Sequence, residues 1–254
     1  MPIPAGYHEA IQTPKATRAI EALWSFSAKE SGSAIVLPDG RCDVILRNHI
    51  NRPDQITPII TGPATQMYRV EYDTGDQWFG VRLRPEQGAT LWADDLNIAR
   101  DRVLRGDDAL HTMPALAQLK GRALTLDALA QVTRAAICGN IDQRLTRAID
   151  MLHASGGRLR VDDLAQQQGC STRHLHRLFQ RNTGLAAKTY AQLVQFHRTL
   201  GLLIRGRLPI TAAAFEGGYA DHAHLTRAFR RFGGFKPSAL PPELALPTLF
   251  SAQV

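Results

Sequence analysis

The sequence predicts an α+β chain in two parts. The first is a small β-rich, barrel-like N-terminal domain with helices. The second is an all-α C-terminal domain of two helix-turn-helix units joined by a long helix. Short β-branched or alternating segments punctuated by Pro/Gly turns fill about the first 90 residues, and a helical period takes over from about Glu86. Beyond residue 140 one stretch repeats itself at an offset of 50 residues. With 254 residues, 44% of them hydrophobic, the chain is long enough for two ordinary domains.

The expected strands are Ser33–Leu37, Cys42–Arg47, Ile56–Thr61, Met67–Tyr72 and Trp78–Arg84. Pro38-Asp39-Gly40-Arg41 links the first two, since Pro presets φ and Gly accepts a positive φ. Turns at Thr61-Gly62-Pro63 and Asp73-Thr74-Gly75-Asp76 separate the others. Helices are expected at Met113–Leu119 and Leu124–Ile137, the second with Leu124, Ala128, Leu129, Val132 and Ala136 on one stripe. Cys138-Gly139-Asn140 stops it, which sets the expected domains at 1–138 and 139–245, with a tail at 246–254.

In the second part Asp142–His153 and Val161–Gln167 read as helices. Ser171 caps a helix through Asn182 that Gly184 closes. A long helix, Ala187–Arg205, follows; then come Ile210–Glu216 and a helix capped by Asp221 that runs to Phe232. Within the long helix, Gly201 lowers helix propensity by about 1 kcal/mol relative to Ala. A bridge that is pliable until a partner orders it is therefore expected.

Charge separates the same two parts. Residues 1–140 carry 15 Lys/Arg against 16 Asp/Glu, whereas 141–254 carry 15 against 7. Thirteen of the latter 15 are Arg, whose planar fork fits phosphates and guanine edges. A near-neutral module joined to a basic one suits a nucleic-acid binder with a control element. Cys42, Cys138 and Cys170 are odd in number and far apart, which suits a reducing compartment rather than a disulfide framework. No run of about 18 apolar residues exists and the start lacks a basic segment before an apolar core. A cytoplasmic protein without membrane contact is expected.

The repeat carries most of the functional reading. His174-Leu175-His176-Arg177-Leu178-Phe179-Gln180-Arg181-Asn182-Thr183-Gly184 overlies the stretch from His224-Leu225-Thr226-Arg227-Ala228-Phe229 to Gly234, with six of the eleven positions identical. Each copy follows a short amphipathic helix and a Gly-containing turn, so the helix-turn-helix unit occurs twice. Leu175/Phe179 and Leu225/Phe229, at i and i+4, face the core. A unit of this kind presents the start of its second helix to base edges in the major groove. Two such units about 34 Å apart can read two successive grooves, a spacing that a connecting helix of about 28 Å makes attainable.

These residues resemble the AraC/XylS family of bacterial transcription regulators over about Leu145 to Leu240. The resemblance runs through Val161-Asp162-Asp163-Leu164-Ala165, Ser171 to Phe179, Gly218-Tyr219-Ala220-Asp221-His222-Ala223-His224-Leu225 and Gly234-Phe235-Lys236-Pro237. It departs at Gln195, where the family usually has an Arg. It implies DNA contacts from Ser171, Thr172, Arg173, His176 and Arg177 in the first unit. Asp221, His222, His224 and Arg227 would make them in the second. Double-stranded DNA is the expected partner, with control by a small-molecule effector or by homodimer assembly through residues 1–138.

Other readings were weighed on the same residues. His174/His176 and His222/His224 sit at i and i+2, about 200° apart on a helix, so one ion cannot use both members of either pair. No metal site, cofactor or catalytic constellation is read, and an enzyme is not expected. Cys170 reads as a small core filler. Trp24, Trp78, Phe79, Trp92 and Tyr68 read first as the core of the N-terminal domain, with a ligand pocket as the alternative. An architectural DNA-bending protein without an effector is the competing function.

Overall fold

A computed structural model of the chain describes residues 6–12, 19–92, 96–137, 139, 141–206, 208–242 and 244–245. Most of the expected Cys138-Gly139-Asn140 turn and the tail 246–254 lie outside the described residues.

The N-terminal part holds two sheets. A six-stranded antiparallel sheet has the order β1(Tyr7–Ile11), β2(Ile20–Ser27), β7(Asp76–Leu83), β4(Asp43–His49), β5(Arg52–Thr61), β8(Val103–Arg105). In the second sheet β3(Gly32–Val36) pairs antiparallel with β6(Tyr68–Tyr72) and parallel with β9(Leu244–Ala245). The Pro38–Arg41 turn thus joins strands of different sheets rather than closing a hairpin.

Alternation along the strands divides the large sheet into two faces. Leu23, Val44, Leu46, Ile60, Val81 and Leu83 turn one way into a core closed by helices. Those helices are α1(Gly88–Leu91), α2(Leu96–Ala99), α3(Asp107–Thr112) and α4(Leu126–Ala136), with the 3-10 segment Pro114–Leu119. Thr125 caps α4 by accepting the Ala128 N–H. Trp24, Phe26, Ile45, Ile59 and Trp78 turn the other way, towards β3 and β6.

The helical part comprises α5(Gln143–Ala154), α6(Val161–Gln167), α7(Thr172–Thr183), α8(Ala187–Ile204), α9(Ile210–Glu216) and α10(His222–Gly233). Its core runs from Leu145, Ile149 and Leu152 through Phe179, Tyr190 and Phe196 to Phe229 and Phe232. It also takes in Ile35 and Leu37 from the β3 side and Leu244 from β9, so the two parts share a core.

The linking helix α8 is continuous across Gly201, and residues of both units pack against it. On the side of the first unit the His153 ring and the Tyr190 hydroxyl are in hydrogen-bond contact at 2.9 Å. On the side of the second, Phe196 packs edge-on to Phe229 with ring centroids 4.9 Å apart. Gln195, where the resembling family carries Arg, donates its side-chain N–H to the Gly217 carbonyl at 2.8 Å. It thereby satisfies the C-terminal end of α9. Gln195→Leu should cost about 1–3 kcal/mol, because a buried carbonyl loses its donor. Equilibrium unfolding in urea checks this, and a change below about 0.5 kcal/mol would contradict the clamp.

Candidate functional site

Two kinds of site emerge: the exposed starts of α7 and α10, and a cleft between the two sheets. Helices α7 and α10 are built alike. Ser171 accepts the His174 N–H at 3.2 Å, and Asp221 accepts the His224 N–H at 2.6 Å, so each side chain caps its helix. Each helix then ends on a left-handed glycine, Gly184 at φ 68° and Gly234 at φ 74°, a conformation that L side chains resist. Leu175/Phe179 and Leu225/Phe229 are buried at equivalent places.

The outward faces differ in detail. Arg173, His176, His222 and Arg227 are exposed and make no hydrogen bond or ion pair among the described residues. Arg177 is exposed and contacts the His174 ring at 3.2 Å. The Thr172 hydroxyl donates to Asp162 at 3.0 Å. His224 is half-buried, its ring edge-on to Tyr219 at 5.1 Å with Nδ1 turned to the Ala220 N–H. Ser171, Asp221 and His224 are therefore engaged in building the unit. The free polar groups are concentrated on Arg173, His176, His222 and Arg227.

The opposite, C-terminal ends of both helices are held by the N-terminal part. Arg100 donates through Nε and Nη2 to the Gly184 carbonyl at 3.2 and 2.8 Å, a cation placed at the negative end of α7. The Met67 N–H donates to the Phe232 carbonyl in the last turn of α10 at 3.0 Å. Between them, His197 on α8 bonds the Pro38 carbonyl at 2.7 Å, and Gly40 faces Leu185 and Tyr190. The strand ends around Pro38 and Met67 thus touch α8 and α10 directly.

Burial drops the His197 pKa from 6.5 to about 4, against the raising effect of its bond to Pro38. A depressed imidazole pKa means that the unfolded chain takes up the proton first. The contribution is full above pH 6.5 and is lost as pH falls towards 4, with about 2 kcal/mol gone by pH 5. Asp43 acts in the opposite sense, since burial raises its carboxyl despite nearby Arg82. The folded chain then holds that proton better, and acidification returns part of the lost stability. Asp43→Asn should therefore steepen the acid loss of stability between pH 7 and pH 5. Thermal unfolding across that range checks it, and an unchanged slope would contradict the assignment.

The cleft lies between the inner face of the large sheet and strands β3 and β6. Its volume is about 140 Å³. Trp24, Trp78 and Tyr68, named from the sequence, do line it. Phe79 and Trp92 instead pack on the helix-facing core. Sequence reasoning missed Tyr7, Phe26 and Tyr72, and also Asp43 and Arg82 at its polar end. An apolar/polar alternation in β1 and β6 was the available signal for the tyrosines. Nothing local marks Asp43 and Arg82, which meet only through strand pairing. Among the described residues no group of three His, Cys, Asp or Glu stands together as a metal site, and no helix is long and apolar enough to cross a membrane. Cys42 is buried, and Cys170 packs at the margin of the helical core.

Two repeated, capped helix-turn-helix units on one linking helix define a class of DNA-binding domain. The comparisons place it. Residues 164–240 match the family described as a helix-turn-helix domain, and residues 13–105 match a domain of unknown function (DUF6597). The Msm operon regulatory protein of Streptococcus mutans is 30% identical over 89 residues, which are 35% of this chain and 32% of that protein. The chain thus matches about a third of the length of that curated relative. A probable AraC family transcriptional regulator from Rhodopseudomonas palustris is 28% identical, covering 38% of this chain and 93% of its own, with a TM-score of 0.35. ToxT from Vibrio cholerae is 10% identical, covering 92% of this chain and 97% of its own, with a TM-score of 0.44. The C-terminal part of this chain thus carries a helix-turn-helix domain, and it is similar to part of a protein named as an operon regulator.

Proposed function

We propose that the chain is a sequence-specific transcription regulator that sets α7 and α10 into successive major grooves of one DNA duplex. In this reading residues 139–245 bind DNA and residues 1–138 sense a ligand or assemble the protein. Arg173, His176 and Arg177 face bases or phosphates from the first unit. His222 and Arg227 do so from the second, with His224, Ser171, Thr172 and Asp221 fixing the helix starts that carry them. The observation that carries the proposal is the pairing of two free helix starts with two held helix ends. Arg173 and Arg227 stand unpaired at the outer ends, while Arg100 and Met67 grip the inner ones. A change in the N-terminal part then has a direct mechanical route to the angle between the reading helices.

Selection of a binding site from random DNA, followed by competition, tests this. A regulator should prefer its selected site by about 10³-fold or more, with affinity falling steeply as salt rises. A ratio near one with strong bending of any duplex would favour the architectural reading instead.

A further inference from the structure

We infer that the cleft between the two sheets binds a small uncharged molecule, the size of a substituted benzene ring, whose polar group is a hydrogen-bond acceptor such as a ketone oxygen. This ligand is the signal sensed by residues 1–138. Only that second half rests on the regulator reading.

Size and walls come first. A volume of about 140 Å³ is close to that of apolar protein cavities of about 150 Å³ that accept benzene. Tyr7, Trp24, Phe26, Tyr68, Tyr72 and Trp78 supply six rings to its lining. Such a wall suits stacked and edge-on contact with a further ring. Trp24 lies against Gly80 of the neighbouring strand so closely that a Cβ there would fall 2.0 Å from the indole. Any side chain at position 80 would force Trp24 out of its place in the wall.

Polar atoms give the class of ligand. The charged side chains of the lining are Asp43 and Arg82, one of each sign. The guanidinium is engaged. It donates to Glu9 at 2.7 Å, and carboxylate oxygens of Asp39 and Asp43 stand 3.6 and 3.7 Å from its Nε. Asp43 is engaged too, accepting the Trp24 indole N–H at 2.7 Å. An ion entering the cleft would leave water and find each charge of the lining already facing its opposite. An uncharged ligand avoids that desolvation cost. Trp78 then sets the polarity of the hydrogen bond. The residue is 7% exposed, and its indole N–H has no hydrogen-bond partner among the described residues. An indole nitrogen donates and does not accept, so an acceptor on the ligand is what satisfies it. Arg82 Nε is a further buried lining atom without a hydrogen bond, and it is a donor as well. Arg47 lies over the Trp78 ring, 5.0 Å from its centroid, and its positive charge opposes a ligand cation there.

The strands over the cleft also touch the helical part. Ala34 and Val36 line the cleft, whereas Ile35 and Leu37, which alternate with them, belong to the helical core. Tyr68 lines it as well, and the adjacent Met67 donates to α10, while Pro38 just beyond β3 bonds α8. A molecule that fills the cleft therefore bears on two strands whose other contacts are α8 and α10.

The test uses the full chain and probes of similar shape, acetophenone, ethylbenzene, benzoate and benzylammonium, titrated by calorimetry. Acetophenone should bind more tightly than either ion by about tenfold or more. Trp78→Phe keeps a ring and removes the N–H. In it the ratio of acetophenone to ethylbenzene affinity should fall by about fivefold. Taking the ratio cancels the space opened by the smaller ring and the greater hydrophobicity of ethylbenzene. Ala34→Phe, which fills the cleft from β3, should abolish binding of both. An ion binding as tightly as acetophenone, no acetophenone binding, an unchanged ratio in Trp78→Phe, or acetophenone binding that survives Ala34→Phe would overturn the inference. If Trp78→Phe does not fold, the ranking of the probes and the Ala34→Phe variant decide alone. Titrating the same samples with the selected DNA separates the two claims. Specific DNA binding without acetophenone binding sinks the ligand, whereas acetophenone binding without specific DNA binding sinks the regulator. Acetophenone binding that leaves DNA affinity unchanged removes only the role as signal.

Discussion

Phe196→Ala should destabilise the helical part by about 3–5 kcal/mol and abolish two-groove DNA binding. Phe196 is fully buried at the middle of the linking helix, with Phe229 at 4.9 Å and Phe232 at 5.7 Å between ring centroids. Its removal leaves a cavity where the second unit meets the helix that holds the first. The cost is lost burial together with the void, since packed aromatic neighbours relax only partly. Circular dichroism should show a lower thermal midpoint for the helical signal. A loss under about 1 kcal/mol would mean that the second unit is not anchored through this ring.

The second large effect belongs to the DNA face. Arg173→Ala and Arg177→Ala should each cost about 1–3 kcal/mol on the selected site and relax discrimination at particular base pairs. Neither residue carries packing, because both are exposed. Stability should therefore stay within about 0.5 kcal/mol of the parent. Lys188→Ala, exposed on the first turn of α8, should weaken all sequences alike or do nothing. Gel-shift titration on specific and random duplexes separates the two outcomes. Equal losses on both DNAs for the two arginines would place them on phosphates rather than bases.

The helical part was legible in the sequence almost residue by residue. Val161–Gln167 and Ile210–Glu216 fall where their apolar spacing puts them, and Ser171, Asp221, Gly184 and Gly234 mark helix ends by local chemistry alone. Strands β3 to β7 were legible within a few residues from their turns. Strand β2 was not, because a bulge between Ile20 and Ala22 breaks the alternation that would have announced it. Two-residue β9 has no signal of its own, as Leu244 and Ala245 are strand only through pairing with β3. The contacts that steady the helix around Gly201 were not legible for a related reason. Propensity at Gly201 is a local term, whereas the grip of Gln195 on Gly217 and of Phe196 on Phe229 is tertiary. The residues proposed to face DNA could be named because a repeat and a family resemblance mark equivalent positions in the two units. The cleft could only be half named, since Asp43, Arg82 and Tyr68 come from three strands in two sheets.

The central claim is that two units read one duplex together. Hydroxyl-radical footprinting of the full chain on its selected site tests it most directly. Two protected patches on one face of the DNA, centred about one helical turn or 10–10.5 base pairs apart, are predicted. The outer patch made by the second unit should fade in His222→Ala/Arg227→Ala while the first persists. A single patch, unchanged by that double substitution, would contradict the account.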